Sequence, residues 1–152
     1  MKLWIDADAA PGDIKEVAFR SATRLSLPTV LVANQPLSTP RGNAFVIAVQ
    51  VEGGPNVADA YIAEHAGPGD VAITADIPLA AALVAKNVSV IDPRGTEYTS
   101  DNVGYRLASR DLMDELRGSG AVTGGPRPFG PKDKQMFAAT LDRVLTRAMR
   151  KR

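Results

Sequence analysis

Two aspartates separated by one residue stand at the end of a short apolar segment near the start of the chain, in LWIDADAAP. Asp6 and Asp8 directly follow three apolar residues of the kind that form a buried strand. Such acids either bind a cation or form the polar surface where a strand ends. Because a solvated strand end does not need two acids, we favour cation binding for this pair.

Two further aspartates are predicted to lie at the same edge of the molecule. Asp76 follows the fourth apolar segment, in AITADIPLA, and Asp59 lies in NVADAYI, in the first turn of the helix after the third. The carboxyl ends of parallel strands share one edge, where ligands bind. We therefore expect four carboxylates to converge, with Thr74 and Asn56 as supporting polar groups. The structural alternatives are a helix N-cap for Asp76 and a helix-dipole interaction for Asp59.

Converged carboxylates repel one another unless they are protonated or neutralised by a cation. The chain has no cysteine and one histidine, His65, which excludes thiolate and multi-histidine sites and which we expect on a helix surface. Oxygen ligands alone suit Mg²⁺ or Mn²⁺, which can activate water and stabilise charge on a phosphoryl group. The residues thus favour metal-dependent phosphodiester hydrolysis. All four aspartates are predicted metal ligands.

The charges are distributed unevenly along a chain whose net charge is +1. Residues 1–93 contain 6 Lys/Arg and 10 Asp/Glu, whereas residues 94–152 contain 12 Lys/Arg and 7 Asp/Glu. A basic part can bind a polyanion, although charge counts alone favour the simpler interpretation of solvated surface charge. The segment GGPRPFGPKDK could bind phosphate or form only a turn. The predicted phosphate-binding residues are Arg94, Arg127, Lys132 and Lys134.

Short apolar segments that alternate with helical periods predict a mostly parallel sheet of about five strands, covered on both faces. We expect a single α/β domain over residues 1–152, located in the cytoplasm, because no signal peptide or membrane span is evident. A Gly/Pro loop is predicted at 118–131. The predicted strands lie at 3–5, 29–32, 44–51, 71–74 and 88–91. The predicted helices begin at Asp13, with Glu16 in a capping box, after Asn56, at Pro78, near Val103 and at Asp133, the last ending near Arg150.

Five blocks give the chain a resemblance to a known family: DADAAP, VADAYI, GDVAITADIPLA, DPRGTEYTSDNV and GGPRPFGPKDKQMF, in this order. The chain resembles the bacterial YaiI/YqxD family, also called UPF0178 or DUF188, which is grouped with PIN-like domains. That resemblance implies a three-layer α/β/α sandwich with an acidic metal pocket and, by analogy with PIN-like ribonucleases, RNA as substrate.

The resemblance also assigns individual residues. It makes Asp6, Asp59 and Asp76 the PIN-type acids and therefore the predicted catalytic residues, with Thr74 as a companion and Asp8 as part of a signature of the family itself. The chain departs from the family at two positions. Ala10 stands where the family commonly has cysteine, and Asn56 where it often has an acid.

Two other hypotheses remain open at this stage. The first is a non-catalytic module that binds nucleic acid or protein through a degenerate acidic pocket. The second is a phosphatase similar to haloacid dehalogenases, which also carry two aspartates separated by one residue after the first strand. Ala10 and the lack of a late acidic pair depart from that second pattern. The sequence leaves the oligomeric state open.

Overall fold

A central sheet of six strands organises the part of the chain that a computed structural model describes, namely residues 1–37, 39–40, 43–54, 56–120 and 128–150. Its spatial order is β3-β2-β1-β4-β5-β6, and all neighbours are parallel except β5 and β6. The strands are β1 (Leu3–Asp6), β2 (Thr29–Ala33), β3 (Val46–Gln50), β4 (Val71–Ile73), β5 (Ser89–Ile91) and β6 (Glu97–Tyr98).

Five helices occur in this part of the chain, and the two faces of the sheet carry separate apolar clusters. One cluster joins α1 and α5 to side chains such as Leu3 and Ile5, and the other joins α2 and α3 to Trp4. This confirms the expected three-layer α/β/α architecture. The helices are α1 (Gly12–Leu25), α2 (Val57–His65), α3 (Ile77–Ala85), α4 (Val103–Gly118) and α5 (Pro131–Arg150).

Helix α5 closes one face of the sheet with an apolar stripe at helical spacing. Phe137, Leu141 and Val144 are fully buried, and each such side chain contributes about 1.5–3 kcal/mol when removed from water. The turn between β5 and β6 packs directly on this helix. Gly95 has φ +92°, and a Cβ there would lie 2.6 Å from the Met136 carbonyl carbon, so glycine is required at this turn.

Several predicted boundaries are corrected by the structure. Asp13 does not cap α1: the amides of Ile14 and Lys15 donate to the Pro11 carbonyl at 3.0 and 3.1 Å, which places Pro11 at the N-cap. The reason is that proline fixes a φ suited to a helix start, and it leaves Asp13 in the first turn. Glu16 accordingly forms no capping box, and its carboxylate lies 4.0 Å from the Arg20 guanidinium.

The sheet has one strand more than expected, because β6 spans only two residues and follows a tight turn. Helix α4 extends to Gly118 and α5 begins at Pro131, so both helices enter the predicted loop at 118–131. Residues 121–127 of that loop lie outside the described part of the chain. Within the described part, no helix is both long and apolar enough to cross a membrane.

Candidate functional site

The four aspartates singled out in the sequence line one open cavity of about 450 Å³. It lies where β1 and β4 end and where α2 and α3 begin. Parallel pairing of β1 and β4 in register, Ile5 beside Ile73, brings the two strand exits to the same edge. The remaining lining residues are small or polar: Ala9, Asn34, Gly54, Asn56, Ala58 and Ala75.

Asp6 is the buried member of this group, only 5% exposed, at the last position of β1. The Thr74 hydroxyl donates to Asp6 Oδ2 at 3.0 Å, and the Asp76 amide donates to the same hydroxyl at 3.0 Å. Burial raises the pKa of Asp6, the nearby charges of Asp8 and Asp76 add to this, and the Thr74 hydrogen bond opposes it. Thr74 therefore holds Asp6 in place and links it to Asp76.

Asp76 is the N-cap of α3, as its structural interpretation predicted, and it also faces the cavity. The Leu79 amide donates to Asp76 Oδ1 at 2.8 Å, which fixes the carboxylate at the start of the helix. Capping and cavity lining are compatible, because a carboxylate has two oxygens and about four acceptor sites. The cap thus orients the carboxylate without using all of its capacity to bind.

Asp59, in the first turn of α2, lines the cavity together with Asp76. Burial and the charges of Asp76 and Asp6 raise the pKa of Asp59 to about 7, and its hydrogen bond to Asp76 and the Asp8 charge contribute further. A hydrogen bond between two carboxyl groups requires one of them to be protonated. The raised pKa means that Asp59 holds its proton to a much higher pH than a solvated aspartate does.

Asp8 is the exposed member of the group, and it is positioned by a residue that the sequence analysis did not select. The backbone amide of Asn34, directly after β2, donates to Asp8 Oδ2 at 3.1 Å. Asn34 also lines the cavity. Asn34 follows a strand end just as Asp6 does, so the same edge argument could have found it. Asn56 lines the cavity at the N-cap of α2 without a side-chain cap bond, in a left-handed conformation with φ 66°.

The donors in this cavity have the chemistry that a hard divalent cation requires, since they are carboxylate oxygens with no basic side chain among the described lining residues. No group of three or more His, Asp or Glu side chains in the described chain is arranged to hold a metal ion. The cavity therefore offers pairs of carboxylates. Mg²⁺ commonly uses one or two carboxylates, and water and substrate phosphate complete its coordination.

The three predicted phosphate-binding residues that the structure describes, Arg94, Lys132 and Lys134, are not among the residues that line this cavity. Arg94 lies in the turn after β5, where its guanidinium donates to Asp133 Oδ2 at 3.0 Å and stacks 5.8 Å from the Phe129 ring centroid. Lys134 lines a groove between α1 and α5, and Lys132 is exposed at the start of α5. Arg127 lies outside the described residues.

His65 occupies the surface position expected for it, at the end of α2. Its ring stacks on Tyr61 with centroids 4.0 Å apart, and Nδ1 donates to the Tyr61 carbonyl at 2.8 Å. It is absent from the lining of the acidic cavity. Within the described chain, the cavity is thus built from aspartates and small residues.

Comparisons with known proteins place the whole chain in one group. The family model of the uncharacterised YaiI/YqxD family, DUF188, matches residues 4–147. A UPF0178 protein of Trichlorobacter lovleyi is 57% identical over 150 residues, which cover 99% of this chain and 97% of that protein. UPF0178 proteins of Myxococcus xanthus and Geobacter sulfurreducens are 52% and 51% identical, with 97% and 100% of their lengths covered. The chain therefore belongs to the YaiI/YqxD (UPF0178) family.

Proposed function

We propose that the acidic cavity binds Mg²⁺ or Mn²⁺ and catalyses phosphodiester hydrolysis, with RNA as the expected substrate. One observation supports the proposal above the others: Asp8, Asp59 and Asp76 line one cavity with buried Asp6, and the described lining supplies no basic side chain to neutralise them. An acidic cluster of this kind gains free energy when a cation displaces a bound proton. Carboxylates at the ends of parallel strands are also well placed to meet a ligand.

The four aspartates have different proposed roles, which follow from their positions in the fold. Asp59 and Asp76 would hold the ion, and Asp6, fixed by Thr74, would complete the negative surface behind it. A bound divalent ion supplies a water of lowered pKa and stabilises charge on the phosphoryl oxygens. Asp8, held by the Asn34 amide at the exposed side, is positioned to orient water.

The choice of RNA rests on the resemblance to PIN-like ribonucleases. Two of the described basic candidates add no support to it, because Arg94 is paired with Asp133 and Lys134 lies in the groove between α1 and α5. Nucleic-acid binding that depends on few cations has a shallow salt dependence. We therefore expect cleavage of short single strands to vary less with salt concentration than it would in an enzyme with a basic binding channel.

Cleavage of labelled single-stranded RNA and DNA in Mg²⁺, Mn²⁺ or EDTA tests the proposal. The informative variant is Asp59→Asn, which keeps the size of the side chain and its hydrogen bond to Asp76 but removes a charge. The matched control is Asp142→Asn on α5, where an exposed aspartate lies 3.4 Å from Arg24, far from the cavity lining. We expect cleavage by wild type and the control in Mn²⁺ or Mg²⁺, and at least a hundredfold loss in Asp59→Asn.

Equal activity in all three proteins would identify a contaminating nuclease and reject the proposal. RNA binding without cleavage, strengthened by Asp59→Asn, would instead support the non-catalytic module. BeF₃⁻ bound at Asp6 with phosphomonoesterase activity would support the haloacid-dehalogenase-like alternative. That reaction requires Asp6 to act as an exposed nucleophile, whereas it is 5% exposed and accepts the Thr74 hydroxyl.

A further inference from the structure

The edge strand β3 leaves backbone groups available for pairing along one side of the sheet. Among the described residues, β3 pairs with β2 alone and ends the strand order. The Phe45 carbonyl accepts from Thr29 and the Val51 amide donates to Ala33, at 2.7 and 2.9 Å. Because a strand directs alternate residues to opposite sides, the backbone N–H and C=O groups of the even-numbered residues, including Ala48, point away from β2.

This edge lacks the features that normally prevent association. Residues 43–51 contain no charged residue and no proline, although charges and proline are the usual protection of an exposed edge. Ile47 is 55% exposed and Phe45 37% exposed. Both also line a hollow of about 250 Å³ beside Pro28 and Val30. An uncharged edge with exposed β-branched and aromatic side chains is typical of a pairing surface.

We propose that β3 pairs antiparallel with β3 of a second copy of this chain, about a two-fold axis at Ala48. In that register the Ala48 amide donates to the Ala48 carbonyl of the second copy, and the reciprocal bond forms by symmetry. Val46 then lies opposite Gln50, also through outward-facing backbone. Ile47 lies opposite Val49, in the closer type of antiparallel pair, where side chains contact most strongly.

The pattern of side chains favours a second copy over an unrelated peptide. Phe45, Ile47, Val49 and Val51 share one face of β3, since alternate residues of a strand point the same way. The two-fold operation places Phe45 opposite Val51 and Ile47 opposite Val49, so every pair on that face is apolar. An isologous interface requires this self-complementarity. The two six-stranded sheets join into one continuous sheet. Because the two copies of β3 run antiparallel, the two acidic cavities lie at opposite ends of the strands.

Disulfide formation in single-cysteine variants tests the register. The chain has no cysteine, so any disulfide in Ala48→Cys joins two chains. The two Cα atoms at position 48 would be about 5.5 Å apart, within the range for a disulfide. The control is Gln50→Cys, which is also exposed but whose symmetry mate would be about 13 Å away along the strand.

We expect Ala48→Cys to cross-link at least tenfold faster than Gln50→Cys under mild oxidation. Equal rates in the two variants, or no cross-link in Ala48→Cys, would overturn the proposed register. Both cross-linking rates are measured on folded protein, so the comparison does not depend on the stability of the cross-linked product.

Sedimentation equilibrium tests the interface without cysteine. Wild type should approach twice the 16.1 kDa chain mass as its concentration rises. Ile47→Lys and Ala48→Pro should remain at the single-chain mass, because they place a charge on the edge or remove an outward-facing donor. Ala48→Val, which retains that donor, should associate like wild type. Circular dichroism verifies that each variant is folded, and Ile47→Lys decides the question if Ala48→Pro does not fold.

A wild type of single-chain mass at every concentration would overturn the proposal, and so would folded Ile47→Lys with undiminished association. Neither result bears on cation binding or cleavage by the acidic cavity, since positions 47, 48 and 50 are not among the residues that line it.

Discussion

Two buried aspartates, Asp6 and Asp133, show how differently one chain can treat a carboxylate. Asp133 is 2% exposed and meets the Arg94 guanidinium at 3.0 Å and the Gly130 amide at 2.9 Å. Asp6 is 5% exposed and has a hydroxyl as its donor, while its charged neighbours are Asp8 and Asp76. The chain thus supplies a cation for Asp133 and further anions for Asp6.

The difference separates a carboxylate that stabilises the fold from one that is prepared for a ligand. A buried charge needs a partner, and Asp133 has one within the chain that joins α5 to the turn after β5. The acidic cavity instead keeps its charge low by holding a proton on Asp59, whose pKa is raised to about 7. A divalent cation can replace that proton. In the acidic cavity, a cation that can dissociate would then neutralise the carboxylates, as the Arg94 guanidinium neutralises Asp133.

Removing Arg94 should have the largest effect on stability, because it removes the guanidinium that lies 3.0 Å from the buried Asp133 carboxylate. We expect Arg94→Met to lower the free energy of unfolding by about 3 kcal/mol, the lower end for a broken buried pair, since the Arg94 side chain is 29% exposed. Urea unfolding at pH 7 measures it. In the control Arg24→Met the exposed partner Asp142 remains solvated, and the loss should stay below about 0.5 kcal/mol. Equal losses of unfolding free energy in the two variants would contradict the distinction between a buried and an exposed ion pair.

Replacing Thr74 by valine should have an intermediate effect, confined to the acidic cavity. The change removes the donor to Asp6 and the acceptor of the Asp76 amide with almost no change of volume. We expect a loss of about 1–2 kcal/mol, since buried polar groups are left without partners. The pKa of Asp6 should rise further, because the Thr74 hydrogen bond lowers it. Thermal unfolding at pH 5 and pH 8 measures both effects, and Thr74→Ser should restore most of the loss.

Neutralising Asp59 should have the smallest effect and the opposite sign. In EDTA at pH 8 we expect Asp59→Asn to be more stable than wild type, by less than about 1 kcal/mol because Asp59 is partly solvated. The folded chain keeps the Asp59 proton up to about pH 7, whereas the unfolded chain releases it near 3.8. Between those values wild type loses stability as pH rises, and the variant should lose less. A variant less stable than wild type at pH 8 would contradict the claim that the carboxylates of the cavity repel one another when no cation is bound.

Much of the fold follows from local sequence, because unalternating apolar segments such as Thr29–Ala33 indicate strands buried on both faces. The edge rule for parallel sheets then places Asp6 and Asp76 at neighbouring strand exits. The two-residue strand β6 escapes prediction because it is too short to show periodicity. Pro11 takes the cap expected of Asp13, since a backbone carbonyl competes with a side chain for the same amides.

The finer chemistry depends on contacts between distant residues, which no spacing reveals. Arg94 and Asp133 are 39 residues apart, so a basic residue that suggested phosphate binding turns out to neutralise a helix residue. The raised pKa of Asp59 depends on its burial and on the charges of Asp76 and Asp6, which belong to other elements of the fold. Both features require the tertiary structure, because each depends on which charges become buried together.

The central claim, that a removable cation can replace the proton in the acidic cavity, is tested most directly by titrating Asp59. Carboxyl carbon NMR of the folded protein would follow its Cγ from pH 4 to pH 9, with and without saturating Mg²⁺. We predict a midpoint near 7 without Mg²⁺ and a clear fall in its presence, while the Asp133 signal does not respond to the ion. A midpoint that Mg²⁺ leaves unchanged, or one near 3.8 in both conditions, would contradict the account.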